Sequence, residues 1–471
     1  MPRPAFDQVF IAPRAVVAGV ERPAVVGVRE GIIAAIGAAG DDVGWEGERI
    51  SLAEDEVLLP GMVDTHVHVN EPGRTDWEGF ASATRAALAG GTTTLLDMPL
   101  NSLPPTTSVE ALRIKQEAAR EQCFVDVGFW GGAVPGNLDQ LRPLHEAGVF
   151  GFKCFLVDSG VPEFPPLSRA ELLAHMERVA DLGALMMVHA EDPDAIAAAP
   201  PAHGRRYADF VASRPDASEV SAIRTVIEAV RRTGAHAHIL HLSSAAALDE
   251  LRAAKEQGLP LTVETCPHYL TFAAETIRDG STAHKCCPPI RSEANRAQLW
   301  DGLRDGTVDI VVSDHSPCTV DLKQLDSGDL GAAWGGVASV EVALRAVWTG
   351  ARERGIGLAQ VVDWMSTAPA AVAGLHDRGA IEVGRRADLV AFAPDETTTV
   401  DARRLHHKNK LTAYDGITLR GDARRTWLGG RPARGDDAAL AGGRLLTRTD
   451  TRIAPAAGPG VEITPLRSEH G

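Results

Sequence analysis

Two histidines separated by one residue, His66 and His68, end an apolar run in Asp-Thr-His-Val-His. On extended backbone such a pair turns both rings to one side, a bidentate grip for a metal ion. Further ligand-type residues end other apolar runs, His189 in MMVHAED, His241 in HILHLSS and Asp314 in IVVSDHSP, and Lys153 stands within the run GFKCFL. Singly, each has a structural explanation. A strand-end histidine can be a satisfied core residue, a lysine can snorkel its amine to water, and an aspartate can cap a turn. Together they would all have to meet at strand ends by chance.

Lys153 is the informative member of this set. A protonated ammonium repels divalent cations, whereas burial lowers a lysine pKa by disfavouring its charged form. The neutral amine can add carbon dioxide, giving a carbamate whose two oxygens span two metal ions. The histidines, this carbamate and Asp314 suffice for a binuclear site with an open bridging position. Two close cations acidify a bridging water and supply hydroxide near neutral pH. Asp314 would ligate one metal and carry the hydroxide's proton to a leaving nitrogen, as a general acid/base does. That chemistry hydrolyses an amide.

These residues need a scaffold that brings strand ends to one rim. Strand-like apolar runs occur at 57–63, 92–98, 124–129, 150–156, 184–189, 237–242, 261–265 and 309–313. Between them, 77–88, 218–232 and 245–256 show helical spacing, the last behind a Ser243-Ser244 capping signal. Strands alternating with helices lie parallel, and this number of units fits a (β/α)8 TIM barrel in the α/β class. An open doubly wound sheet is the competitor, but no glycine-rich dinucleotide fingerprint follows the early strands. Residues 1–56 and 376–445 carry short β-like runs and are expected to combine into one small β-sandwich. The barrel then spans 57–375, and 446–471 is a loosely ordered tail or an arm docking on a neighbour.

The chain has 471 residues, 44% hydrophobic and 23% charged, with a formal net charge of -16. That balance disfavours nucleic acid and anionic membranes as partners, because both need clustered cations. No apolar run approaches the roughly 20 residues of a membrane span, and a cytoplasmic enzyme is the expected class. Six cysteines without a CxxC pair read as reduced, mostly buried small hydrophobes.

The segments GMVDTHVHVNEPGRTDWEGF, AGGTTTLLDMPLNSLPPTTS, GFKCFLVDSGVPEFPPL, MVHAEDPD, HILHLSS, VETCPHYL, KCCPPIR and VVSDHSPC resemble the amidohydrolase superfamily, and within it the allantoinase branch. NKLTAYDGITLRGDARRTWLGG is similar to that family's C-terminal sandwich segment, so the resemblance runs from about residue 8 to about 432. It implies the ligand set His66, His68, Lys153, His189, His241 and Asp314, with Lys153 carboxylated and Asp314 also the acid/base. It also implies two divalent metal ions, usually zinc, with cobalt, manganese or nickel as alternatives, and a homotetramer. The implied reaction opens the hydantoin ring of allantoin to give allantoate. Dihydroorotase and dihydropyrimidinase/hydantoinase are the alternatives within the class, and a non-catalytic scaffold is the alternative outside it.

Asn70, Asn101 and the loop from Pro288 to Arg291 are the nominated substrate contacts, with Phe155 and Leu156 walling the pocket. Asn70 would pair with a neutral, amide-rich ligand without burying a lone charge, where dihydroorotases place an arginine. Glu71 and Arg74 would brace that loop by pairing with each other. His268 and His315 would stand behind the metal ligands or serve the core. Residues 321–336 are a candidate lid. Lys153→Ala is expected to lose most turnover and much of the bound metal, because no other side chain spans both ions. Near-normal activity with two metals per chain would refute the carbamate.

Overall fold

The computed structural model describes residues 5–433 and 442–450. The apolar run at 57–63 is two strands, not one. Val57–Pro60 belongs to the sheet of the chain ends, and Met62–Val67 is the first barrel strand. Gly61 separates them: a Cβ there would fall 2.1 Å from Thr93 Oγ1, and its N–H donates to the Asp388 carbonyl at 2.8 Å. Hydrophobic periodicity cannot see this break, because apolar residues continue on both sides of it.

The remaining barrel strands are Thr92–Asp97, Asp126–Phe129, Phe152–Phe155, Leu185–His189, His236–Ile239, Leu261–Thr265 and Ile310–Val311. All neighbouring pairs among them are parallel. The third strand continues through Trp130 into Gly131–Gly132, which pairs with Phe152 and Lys153. Closure comes from a parallel bridge between Val67 and His315, with His68 N–H donating to the His315 carbonyl at 2.8 Å. Side chains alternate across each strand. Phe152 and Cys154 therefore face the helices while Lys153 faces the interior, and Met186 and Val188 face outward while His189 faces in.

Helices cover the barrel for local reasons that are readable in the chain. Arg169–Leu182 starts in a capping box, Ser168 with Glu171, and stops at Gly183 with φ of 59°. Asp216–Thr233 ends the same way at Gly234. The expected Ser243-Ser244 cap is not made. Ser244 Oγ donates to Asp216 Oδ1 at 2.5 Å, Ser243 Oγ donates to the Pro289 carbonyl at 2.5 Å, and the segment opens with a 3-10 turn, Ala245–Ala247, before Leu248–Glu256. Tertiary partners took both hydroxyls.

The two chain ends combine into one sheet-rich unit of eight hydrogen-bonded strands. Ala5–Val17 is long enough for its first half to pair with Glu46–Ser51 and its second half with Val57–Pro60, while Val20–Arg29 lies along its other edge. Leu389–Phe392 completes the far side of Val57–Pro60, and Ala423–Leu428 follows. Residues 443–448 do not join this sheet as the expected division at 445 requires. Leu446 N–H donates to the Val127 carbonyl at 2.8 Å, Val127 N–H donates to the Arg444 carbonyl at 2.9 Å, and Gly443 packs so closely that a Cβ would meet Val125 O at 2.0 Å. The segment thus lies along the third barrel strand. Residues 434–441 and 451–471, including most of the expected tail, are outside the described residues.

Where the end sheet meets the barrel, Arg378 is fully buried among Asp126 at 2.9 Å, Thr94 at 2.8 Å and Asp377 at 2.9 Å. Removing one member of a buried ion cluster strands the others without water. Arg378→Ala is expected to cost about 3–5 kcal/mol in urea unfolding. A shift below about 1 kcal/mol would mean that the cluster contributes nothing to the join.

Candidate active site

Strand ends bring His66, His68, Lys153, His189, His241 and Asp314 to one cavity of about 240 Å³. His66 is the hub. Its Nε2 lies 3.3 Å from Lys153 Nζ and 3.2 Å from Asp314 Oδ1, and its ring centre is 5.4 Å from those of both His68 and His241. His189 stands beside His241 with ring centres 4.5 Å apart and stacks on Phe155 at the same distance. His241 and Asp314 sit where their strands turn away, with φ of 35° and 45°, a left-handed region that side-chain-bearing residues seldom adopt. Such strain persists only where neighbours over-determine it. Here His241 N–H is held by Glu264 Oε1 at 3.0 Å, and the backbone beyond Asp314 is held through His68.

Burial governs the electrostatics. It holds His66, His68 and His241 well below the usual imidazole range, so their rings are neutral and keep a lone pair. It pushes Lys153 down to about 8 and Asp314 up to about 8. Burial likewise raises Glu264 to about 8, against the His241 N–H and the Lys153 charge. The donors are also oriented. His68 Nδ1 reaches the Leu100 carbonyl at 3.3 Å, which leaves Nε2 toward Asp314; His189 Nε2 reaches Glu191 at 2.8 Å, which leaves Nδ1. Burial raises the Glu191 pKa, but Arg214 and His189 outweigh it and bring it down to about 2.

His66, His68 and Asp314 form a buried group whose ligand atoms all lie within 4.8 Å of one another. Neutral imidazoles, one carboxylate and the buried His241 Nδ1, which has no hydrogen-bond partner, make a donor set that fits a metal ion. Cys266 and His268 form a second such group with Asp314, and neither ring nitrogen of His268 has a partner. His315 Nε2 lies 3.3 Å from Glu78, and its Nδ1 accepts from Ser339 N–H at 3.1 Å. It braces the strand closure.

Of the nominated substrate contacts, Asn101 lines the cavity, whereas Asn70, Pro288 and Arg291 do not. Asn70 donates to the Pro317 carbonyl at 3.1 Å and accepts from Asn101 Nδ2 at 3.1 Å, so it positions Asn101. The Pro288 carbonyl accepts from Tyr269 OH at 2.8 Å. Arg291 pairs with Glu219 at 2.8 Å, and Glu219 accepts the N–H groups of Ser243 and Ser244 just beyond His241. Phe155 lines the cavity and Leu156 does not. Glu71 and Arg74 are not partners: Glu71 accepts the Phe80 N–H at 2.8 Å, and Arg74 donates to the Asn101 carbonyl at 2.6 Å and to Glu163. From the suspected lid, Ala333, Trp334, Gly335 and Gly336 reach the cavity wall.

Sequence reasoning missed Arg214, Lys285 and Trp334 in that wall, and Glu191 and Glu264 behind it. Glu264 was signalled by an acid inside an apolar strand, LTVET. Arg214 follows a helix, Tyr207–Ser213, with nothing local to mark it.

The fold and the site define a barrel hydrolase of the metal-assisted type, and comparison with known proteins agrees. Residues 57–433 match the Amidohydrolase family, and the chain belongs to that family. It is 54% identical over 428 residues to the allantoinase of Streptomyces avermitilis, covering 91% of this chain and 95% of that protein. It is 50% identical to the allantoinase of Saccharomyces cerevisiae, covering 79% and 82%. The solved structure of the L-hydantoinase (dihydropyrimidinase) of Arthrobacter aurescens superposes with a TM-score of 0.86 at 29% identity, over 94% of this chain and 100% of that one.

Asn101→Ala is expected to lower kcat/KM on the preferred cyclic amide by roughly 3–10-fold, the worth of one neutral hydrogen bond. Asn70→Ala should lose no more than that, because it acts through Asn101. A larger loss in Asn70→Ala than in Asn101→Ala would show that Asn70 has a role of its own.

Proposed function

We propose that this chain hydrolyses allantoin to allantoate. The observation that carries the reading is its likeness to bacterial and yeast allantoinases over most of the chain, the Streptomyces match spanning 91% of it. His66, His68, Lys153, His189, His241 and Asp314 would hold two divalent ions, with Lys153 as its carbamate, formed from carbon dioxide. Zinc is the family expectation, with cobalt, manganese or nickel as alternatives. When bound, such ions lower the pKa of water and polarise an amide carbonyl.

Water adds to the ring carbonyl carbon, the ring C–N bond breaks, and a carboxylate and a ureido N–H result. Asp314, within 3.8 Å of His68 Nε2 and 3.2 Å of His66 Nε2, takes the proton of the attacking water and delivers it to the ring nitrogen. Asn101 offers an amide to the neutral ligand, held in place by Asn70. The buried Phe155 and the neighbouring Trp334 narrow the cavity and limit its water. Two cations also line it, but both are engaged. Arg214 is matched by Glu191, and Lys285 donates to the Gly331 and Ala333 carbonyls at 3.2 and 2.5 Å.

Among the described residues no helix is long and apolar enough to cross a membrane. A homotetramer is the accompanying family expectation and a cytoplasmic location the expectation from composition, and light scattering and cell fractionation test them. The decisive assay compares ring opening of allantoin, dihydroorotate, dihydrouracil and hydantoin by metal-loaded protein. Allantoin should exceed dihydroorotate in kcat/KM by at least roughly 10²-fold, the discrimination that polar pairing supplies. Faster turnover of dihydroorotate or dihydrouracil would reject the substrate and leave the hydrolase intact.

A further inference from the structure

Behind His66 a column of polar side chains runs down the inside of the barrel. Glu264 Oε1 lies 2.5 Å from His66 Nδ1, and Glu264 Oε2 lies 3.0 Å from His238 Nε2. His238 Nδ1 lies 2.7 Å from Thr262 Oγ1, which lies 3.3 Å from His236 Nε2. Glu264 has no solvent exposure and His238 only 1%, whereas His236 is half-buried and lines a separate cavity with Gly234, Pro260 and His376. The column therefore connects the catalytic rim to the opposite face of the barrel.

With Glu264 as a carboxylate, the hydrogens in this column have a self-consistent arrangement that leaves His66 able to bind a metal. The Thr262 hydroxyl carries a single hydrogen, so donating it to His238 Nδ1 leaves its oxygen to accept from His236 Nε2–H. A neutral His238 with an accepting Nδ1 must donate through Nε2, and that bond ends on Glu264. Glu264 then accepts from His238, from the His241 backbone N–H at 3.0 Å and from His66 Nδ1–H. His66 is left with its lone pair on Nε2, the atom that faces Lys153 and Asp314. A proton on Glu264 directed at His66 would reverse the ring and put hydrogen where a metal must sit.

We infer that Glu264, held by His238, is a positioning residue that fixes the tautomer and basicity of His66 and thereby sets how tightly the site holds its metal. Metal-ligating histidines commonly depend on such an acceptor behind the ring, and losing it costs affinity. The same carboxylate also holds the backbone of His241, so one buried side chain orients two proposed ligands on different strands. The inference rests on the metal-dependent function proposed above.

The test measures zinc retained by the full-length, zinc-loaded chain against a graded competing chelator, alongside the urea midpoint of each metal-free protein. Glu264→Gln keeps an acceptor for His66 and removes the charge. It should weaken zinc retention by roughly 10–100-fold while the metal-free midpoint stays near that of the wild type. His238→Gln touches no proposed ligand and should weaken retention in the same direction by less. The double variant should be no worse than Glu264→Gln alone, since both act through one path. Wild-type retention in either folded single variant would overturn the inference, as would losses that multiply in the double variant. If Glu264→Gln fails to fold, His238→Gln decides. Tight zinc in the wild type with unaffected variants sinks this inference only, whereas a wild-type chain that takes up no zinc sinks the metal-dependent function with it.

Discussion

Lys153 Nζ, His66 Nε2 and Asp314 Oδ1 lie in sequence 3.3 and 3.2 Å apart, with side chains almost closed to water. Packing an amine, imidazoles and a carboxylate this tightly without solvent is costly unless each proton has a defined place. Much of the upper barrel serves that requirement. Neutral imidazoles avoid stacking charge on charge, and His66, His68 and His189 each turn one ring nitrogen to an oxygen. The low dielectric that makes the cluster expensive also strengthens its action on a bound amide.

The strands that deliver these side chains are braced by ion pairs one layer further out. Lys115 Nζ lies 2.6 Å from Asp97 Oδ2, and Asp97 accepts the Val69 N–H at 2.8 Å, just past His68. Arg291 and Glu219 hold the backbone after His241, and Arg214 and Glu191 hold the ring of His189. The three pairs come from different parts of the chain and follow one plan: a buried carboxylate takes a cation on one side and a strand-end group on the other. Breaking such a pair leaves an uncompensated charge indoors, so the segments carrying these residues are fixed for geometric reasons even where they touch no ligand.

The proposed ligands were legible because they stand at the ends of apolar runs or, for Lys153, inside one, where a packed core has no use for them. The barrel was legible from the alternation of those runs with helical spacing. What escaped was everything that depends on distance in space rather than along the chain. Gly61 parts two strands because Thr93, on the next strand, leaves no room for a side chain. Asn70 and Arg291 looked like substrate contacts because polar residues in rim loops often are. Their partners, Asn101 and Glu219, are far away in sequence and convert them into braces. Arg214 and Lys285 reach the cavity from segments with no strand pattern at all.

Val57–Pro60 sits between Ala15 on one side and Leu389–Phe392 on the other. The first neighbour leaves the ribosome before it and the second roughly 330 residues later, which at about 5–20 residues per second is a wait of roughly 20–60 s. Throughout that interval Val57, Leu58 and Leu59 present an apolar strand edge with open backbone groups, the kind of surface that recruits other chains. The nascent protein thus carries its own vacancy while the barrel is being translated. How long that vacancy stays open to a wrong partner is set by the pace of synthesis, and the strand that finally closes it is the chain's own.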